Sequence, residues 1–279
     1  MSDVTGRFQI PHALLRKWQS LSLELAPYDR MTIAFSGGVD STFLAWFAAK
    51  ALLKDVLLVL ILNPLVSDRE NQEARNTARQ LELPYEELKV DVLIHEDVAS
   101  NSRNRCYACK HAMVSALSEF AKVLGYHPVL DGTNADDLSA YRPGRRAAHE
   151  LGVISPLARA GLSKAEIREF SHLVGLPNWN KPSQSCLATR VPYGCRLTGE
   201  LLERIERAEA FLLHLGYSLV RVRIHDRNAR IELSPDEFHK VFEPAARRQV
   251  LEYFTELGFI HVSLDLAGYR SGSADVGVV

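Results

Sequence analysis

Apolar and polar positions alternate along this chain in two different rhythms. Met31–Phe35 and Val56–Leu62 are short runs that are apolar throughout, bounded by Ser36-Gly37-Gly38 and by Asn63-Pro64. Runs of that length between turn residues predict strands buried on both faces. Helical spacing follows each of them, over Ser41–Leu53 and Ser67–Leu81; Ser67 with Glu70 three residues on has the spacing of a capping box. A third strand is expected at Tyr85–Leu93, a helix at Cys109–Leu124, a short strand at Pro128–Asp131 and a fifth at Val153–Pro156. Ser163 then caps a helix to Val174. Strands alternating with amphipathic helices predict an α/β fold, a parallel sheet with helices on both faces. Ligands of such sheets sit at the carboxyl ends of the strands, where Ser36, Asn63 and Asp131 fall.

From Pro177 to Thr198 the rhythm stops. Three prolines and Gly194 with few periodic apolar positions predict a long loop, a length that in compact proteins usually serves function. Beyond it the order changes: a helix at Gly199–Leu215, strands at Ser218–Ile224 and Ala229–Leu233, a helix at Pro235–Leu257 and a strand at Phe259–Leu266. The division expected is residues 1–180 as a first domain, 181–198 as an active-site loop and 199–279 as a small α+β domain.

Composition narrows the function classes. With 279 residues, 47% hydrophobic, 24% charged and a net charge of -1, the chain offers no global attraction for nucleic acid or anionic membrane. No apolar run reaches the roughly 18–20 residues of a membrane span. Met1–Arg16 lacks the apolar core of a signal peptide. A cytoplasmic protein acting on a small molecule, with neither nucleic acid nor membrane as partner, is the expectation. Four cysteines are too few for a disulfide scaffold.

The candidate chemistry begins at Ser36-Gly37-Gly38-Val39-Asp40-Ser41-Thr42. Two glycines after a strand let successive backbone N–H groups converge on an anion, and the helix that follows adds partial positive charge. Ser36, Ser41 and Thr42 supply hydroxyl donors. No lysine follows the glycines, so this is not the Walker loop; it resembles the pyrophosphatase loop, which implies splitting of ATP to AMP and pyrophosphate, the plainer alternative being a strand-to-helix turn with a serine cap. Asp40 suits a Mg²⁺ ion bridging the phosphates, or is simply an acid placed well in a first helical turn. Asp131-Gly132 opens a second polar loop, followed by Arg142, Arg145 and Arg146. Carboxylates there suit metal or ribose, and arginines suit phosphate or carboxylate; a solvated polar loop is the plainer alternative.

Cys186 lies in the long loop with Lys181 and Arg190 nearby. It reads as a nucleophile or sulfur donor, or as a small buried hydrophobe. Cys106 and Cys109 form a C-x-x-C that needs partners to hold metal; with Cys186 they would supply three thiolates to an iron–sulfur cluster, while Cys186 could instead pair with Cys195. On the late strands Arg221 and Arg223 share a face. They suit an anion, or a cross-strand ion pair with Glu232.

Taken together these motifs resemble the ATP-dependent sacrificial sulfur transferases, the LarE family. The residues that carry the resemblance are the Ser36–Thr42 loop, Arg105-Cys-Tyr-x-Cys-Lys110, Asp131-Gly-Thr-Asn-x-Asp-Asp-Leu138 with Tyr141-Arg-Pro-Gly144, Cys186-Leu-Ala-Thr-Arg190 with Pro192-Tyr-Gly194, and Gly268-Tyr-Arg-Ser-Gly272. The first is common to all pyrophosphatase-loop enzymes; the others are more particular. The resemblance implies a pyrophosphatase-loop domain with a small C-terminal domain, a homo-oligomer that is often a hexamer, and ATP with Mg²⁺. It implies adenylation of a carboxylate of pyridinium-3,5-biscarboxylic acid mononucleotide, on the route to the nickel-pincer cofactor of lactate racemase. Cys186 would give up its sulfur to that carboxylate, and Arg190, Arg221, Arg223, Glu209 and Glu232 would handle the substrate's charges. Some members instead hold a [4Fe–4S] cluster on three cysteines and relay sulfide; the sacrificial route is the expectation here.

Overall fold

The computed structural model describes residues 10–139, 143–182 and 184–270. Tyr141, Arg142, Ser183, Ser271 and Gly272 lie outside the described residues. The chain forms two compact units: one from residues up to 92 together with 106–184, the other from 93–105 together with 185 onward.

The first unit is a four-stranded parallel sheet in the order β3-β2-β1-β4, with β1 at Arg30–Phe35, β2 at Asp55–Leu62, β3 at Tyr85–Lys89 and β4 at Val129–Leu130. The expected parallel α/β sheet is present. Both faces of β2 are covered, which is why its sequence is apolar without alternation. Val56, Leu58 and Leu60 pack with Met31, Ile33 and Phe35 on one side. Leu57 and Val59 pack with Val114, Leu117 and Ala121 on the other. The first core is closed by α1 (His12–Leu25), α2 (Val39–Trp46) and α6 (Lys164–Leu173), whose aromatics interlock: the Trp18 and Phe47 rings lie 4.5 Å apart and those of Phe43 and Phe170 5.4 Å. The intervening helices are α3 (Asp68–Leu81), α4 (Arg105–Leu124) and α5 (Pro143–Glu150).

Ser67 caps α3 by accepting from the Glu70 N–H, and Ser163 with Glu166 forms a complete capping box on α6. At Val153–Pro156 the expected fifth strand is only a single parallel bridge between Leu130 and Ile154. Pro156 has no N–H to continue a ladder and opens the short helix Pro156–Arg159 instead.

The second unit carries a mixed sheet in the order β5-β6-β7. β5 (Val220–His225) pairs antiparallel with β6 (Asn228–Leu233), which pairs parallel with β7 (His261–Leu264). Parallel pairing needs a crossover, and α8 (Pro244–Glu256) provides it, while α7 (Gly199–His214) packs on β5. The single helix expected over Pro235–Leu257 is broken. Glu243, preceding a proline, is extended (ψ 131°), so Phe238–Phe242 and α8 are separate helices.

Candidate functional site: a phosphate cradle and a clamped cysteine turn

In the first unit, β1 delivers the chain into the turn Ser36–Gly38 and then into α2. Gly37 has φ +65°, and a Cβ there would stand 2.6 Å from the Ala74 Cα, so no other residue fits. The Ser36 and Ser41 hydroxyls lie 3.2 Å apart; Ser36 Oγ accepts from Gly38 N–H, and Ser41 Oγ–H donates to the Gly38 carbonyl. The first helical bond is Thr42 N–H to Gly38 O at 3.0 Å. The N–H groups of Val39, Asp40 and Ser41 therefore have no partner within the helix and converge at its positive end. Asn178 ties the turn from below, donating to the Gly37 carbonyl at 3.1 Å and to Thr42 Oγ1 at 2.9 Å.

Gly132, at the end of β4, closes the cradle. A Cβ on it would meet the Ser41 N at 2.8 Å, so the backbone of the second polar loop lies against the first turn of α2. Asp131 accepts from Ser155 Oγ–H at 2.7 Å and from Thr133 N–H at 3.1 Å, with Lys110 Nζ at 3.9 Å. Asn63, at the end of β2, spends its Oδ1 on the Leu65 N–H. Beside Asp131 a cavity of about 580 Å³ is lined by Thr133, Ser155, Arg145, Arg146 and Arg159 among others. Arg145 donates to the Asp137 carbonyl, and Arg146 lies over the Tyr107 ring.

Asp40 is a half-buried acid of this cradle that ion-pairs with Lys164. Its Oδ2 accepts from Lys164 Nζ at 2.6 Å, while the buried Oδ1 has no hydrogen-bond partner. Burial raises its pKa above the ordinary aspartate value, against the opposing pull of Lys164. An unsatisfied, buried carboxyl oxygen beside a phosphate cradle fits one ligand of a Mg²⁺ ion that takes its other ligands from phosphate and water. Lys164 escapes a motif reading, but a lysine at the first position of α6 runs against the helix dipole. That misplaced charge is the signal that could have found it.

The cysteines divide between the units. Cys106 and Cys109 sit in the first turn of α4, where Cys106 is exposed. Among the described residues, no group of three or more His, Cys, Asp or Glu side chains is gathered to hold a metal ion. Cys186 belongs to the second unit, half-buried at the start of a 3-10 turn, Leu187–Arg190. Lys181, expected beside the thiol, ion-pairs with Glu73 in the first unit.

Arg190 lies under that turn with its side chain 3% exposed. Its Nε and Nη2 donate to the two oxygens of Glu209 at 2.9 and 3.0 Å. Its Nη1 donates to the Ser185 carbonyl at 2.6 Å, the Cys186 carbonyl at 3.0 Å and Thr189 Oγ1 at 3.1 Å. Glu209, on α7, also accepts the Val222 N–H of β5 at 2.9 Å. Arg223 binds the Thr189 carbonyl at 2.6 Å and pairs with Glu232, whose side chain is 2% exposed. Arg221 donates to the Val220 carbonyl and faces the Tyr269 ring at 5.1 Å. The second unit thus brings Cys186, Arg190, Glu209, Arg223 and Glu232 into one network. A further support comes from 93–105: Asn101 donates to the Val191 and Pro192 carbonyls and accepts from Arg105, which lies over the Tyr193 ring.

Among the described residues no helix is long and apolar enough to cross a membrane. Residues 15–113 match the NAD synthase family, a family built on this type of ATP-splitting loop. Over 262 residues, 93% of this chain and 94% of the relative, the sequence is 35% identical to the pyridinium-3,5-bisthiocarboxylic acid mononucleotide synthase of Lactiplantibacillus plantarum. It is 40% identical to an uncharacterized protein of Synechocystis over 92% of this chain and 96% of the relative. The NH(3)-dependent NAD(+) synthetase of Pyrococcus furiosus shares 25% over about half of each, 53% of this chain and 57% of the relative. The likeness to the synthetase is partial, whereas the likeness to the mononucleotide synthase runs through both units, and the chain is a member of the LarE family of ATP-using pyrophosphatase-loop enzymes.

Proposed function

We propose that this enzyme adenylates a carboxylate of pyridinium-3,5-biscarboxylic acid mononucleotide and replaces one of its oxygens with the sulfur of Cys186, in the assembly of the nickel-pincer cofactor of lactate racemase. The observation that carries the reading is the full-length likeness to a mononucleotide synthase whose name states that product class. The clamped turn that presents Cys186 supports it.

In this reading the N–H groups at the start of α2, with Ser36, Gly37, Gly38, Ser41 and Thr42, hold the pyrophosphate end of ATP. Mg²⁺ held at Asp40 would neutralise phosphate charge, and Lys164 becomes available to phosphate oxygens. Asn63, Asp131 and Gly132 shape the rest of the nucleotide site. The substrate carboxylate attacks the α-phosphorus and pyrophosphate leaves, which turns a poor leaving group into AMP. The Cys186 thiolate attacks the acyl carbon, AMP departs and a thioester forms. Breaking the Cβ–S bond then leaves a thiocarboxylate on the product and dehydroalanine at position 186.

Intact mass of the full chain after incubation with ATP, Mg²⁺ and the dicarboxylate nucleotide tests this. Loss of one H₂S, mapped to Cys186, is the expected result. Unchanged protein mass with repeated turnover would rule out sacrifice and turn attention to the cluster route. An amide-forming ligase, the reading the NAD synthase likeness favours, would keep its full activity in Cys186→Ser.

A further inference from the structure

The carbonyl oxygen of Cys186 is hydrogen-bonded far beyond what a 3-10 turn requires. Such a turn provides one i→i+3 bond, here Thr189 N–H at 3.0 Å. Two more donors converge on the same oxygen: Thr189 Oγ1–H at 2.8 Å and Arg190 Nη1 at 3.0 Å, the latter shared with the Ser185 carbonyl at 2.6 Å and the Ser185 hydroxyl at 2.9 Å. The hydroxyl that donates to the carbonyl also accepts from Arg190 at 3.1 Å, so the donors form a linked set. Glu209 fixes the other edge of the guanidinium with two bonds, leaving the fork no freedom to turn away.

Three donors with a buried cation on one peptide carbonyl form a site for negative charge on that oxygen. The carbonyl belongs to the residue that carries the sulfur. Negative charge accumulates there when the Cα proton of residue 186 is removed, because the electron pair passes into the carbonyl as an enolate. We propose that Arg190 and Thr189 are catalytic residues that stabilise this enolate and so drive the elimination that frees sulfur from Cys186. The inference rests on the sacrificial reading given above. In the step, the C–H bond at Cα of residue 186 breaks and its proton goes to a solvent base, water or hydroxide. The pair held as enolate then forms the Cα=Cβ bond as the Cβ–S bond breaks. The sulfur leaves with its electrons as the thiocarboxylate of the product, and residue 186 remains as dehydroalanine. No oxidant or reductant is consumed.

A mere clamp on the loop would also need Arg190, but it would not need the Thr189 hydroxyl aimed at this carbonyl. Nor does a cluster that relays sulfide have a use for the arrangement, since that route never breaks Cβ–S.

The elimination can be probed apart from ATP and substrate. A bis-electrophile such as a 1,4-dibromide alkylates a cysteine twice to a cyclic sulfonium, which then eliminates to dehydroalanine by loss of the same Cα proton. Peptide mass spectrometry on the folded full chain separates the alkylation rate from the elimination rate at each cysteine. Cys195, exposed and outside the network, is the internal reference. We expect elimination at Cys186 to be at least 10-fold faster than at Cys195. It should fall by roughly 10- to 100-fold in Thr189→Val and in Arg190→Gln, below the roughly 100- to 1,000-fold of losing one donor in a closed oxyanion hole because Cys186 is only half-buried, and recover substantially in Thr189→Ser and Arg190→Lys. Thr189→Val tests the idea without breaking the Arg190–Glu209 pair, so a poorly folded Arg190→Gln does not obscure it. Equal elimination rates at Cys186 and Cys195, or a Thr189→Val rate equal to wild type, would overturn the proposal. If instead the bis-electrophile behaves as expected but ATP with the dicarboxylate nucleotide yields no loss of H₂S from wild type, the enolate site stands and the sacrificial reaction with that substrate fails.

Discussion

Gly37 offers the sharpest quantitative test of the phosphate cradle. In Gly37→Ala the new Cβ enters at φ +65° and 2.6 Å from the Ala74 Cα, a backbone atom of α3 that cannot rotate aside. The left-handed conformation costs about 1–2 kcal/mol for a residue with a side chain. Forcing α3 away costs a further 1–3 kcal/mol or so, the usual range for overpacking. Gly175→Ala is the matched control: its φ is +76° and nothing lies within 4 Å of the added carbon. The entropy that alanine removes from the unfolded chain, about 0.4–1 kcal/mol, is common to both and cancels in the difference. Gly37→Ala is therefore expected to be less stable than Gly175→Ala by about 1–3 kcal/mol, or several degrees in Tm at about 2–4 °C per kcal/mol. Thermal unfolding by circular dichroism reads that difference, and ATP–pyrophosphate exchange reports the function. Gly37→Ala should lose exchange while Gly175→Ala keeps it. Adding Ala74→Gly should not rescue it, because the closest atom is the Ala74 Cα, which remains. Equal Tm values for the two single variants would show that the close approach is not what excludes a side chain, whereas rescue by Ala74→Gly would place the clash on the Ala74 methyl at 2.8 Å rather than on its Cα.

The buried ion pairs separate in the same way by exposure: Glu209→Ala strands Arg190 and should cost about 3–5 kcal/mol, whereas Glu200→Ala, at an exposed pair with Arg204, should cost less than about 1 kcal/mol, both read from denaturant midpoints. Asp40, with its pKa raised by burial, binds its proton more tightly folded than unfolded. Its contribution is therefore fully present below the unfolded value and is lost as pH rises through the raised one. Asp40→Asn should accordingly gain Tm relative to wild type as pH climbs from 4 towards 7, while losing ATP–pyrophosphate exchange; a difference that does not change with pH would contradict the burial argument. The double variant Cys106→Ser/Cys109→Ser should remain colourless and keep single-turnover sulfur transfer, and loss of a visible absorbance together with activity would point to a cluster.

The parallel sheet could be read from the sequence because β2 has no polar alternation, and the turn from β1 into α2 followed from two glycines after a strand. Cys186 stood out through its neighbours in the loop. What escaped reading depends on long-range partners. Leu14, Trp18, Leu21 and Leu25 do carry a helical stripe, so α1 has a local signal of its own. The break at Glu243 also had one, in Pro244. By contrast, nothing local distinguishes Arg190 or Arg223 as the residues that grip the Cys186 turn. Arginines in an alternating strand suggest either an anion-binding face or a cross-strand pair with Glu232; the pair forms at Arg223, and only the fold shows that it is buried and that the Thr189 carbonyl joins it. Lys164 and Asn178 reach the cradle from more than 120 residues away, a separation no periodicity encodes.

The second unit is assembled from two stretches separated by 79 residues of the first, which has a consequence for the order of events during synthesis. Asn101 and Arg105 leave the ribosome long before Val191, Pro192 and Tyr193, the groups they hold, and Glu209 and Val222 follow later still. Domains otherwise tend to mature in the order in which they are made, and contacts this remote in sequence form slowly. The turn around Cys186 is consequently among the last parts of the chain to become organised, after the first unit has all of its own residues. A nascent chain would then have the Ser36–Thr42 turn in place before the turn that carries Cys186. A fragment beginning at residue 185 would lack the Asn101 anchor, however faithfully its own sheet formed.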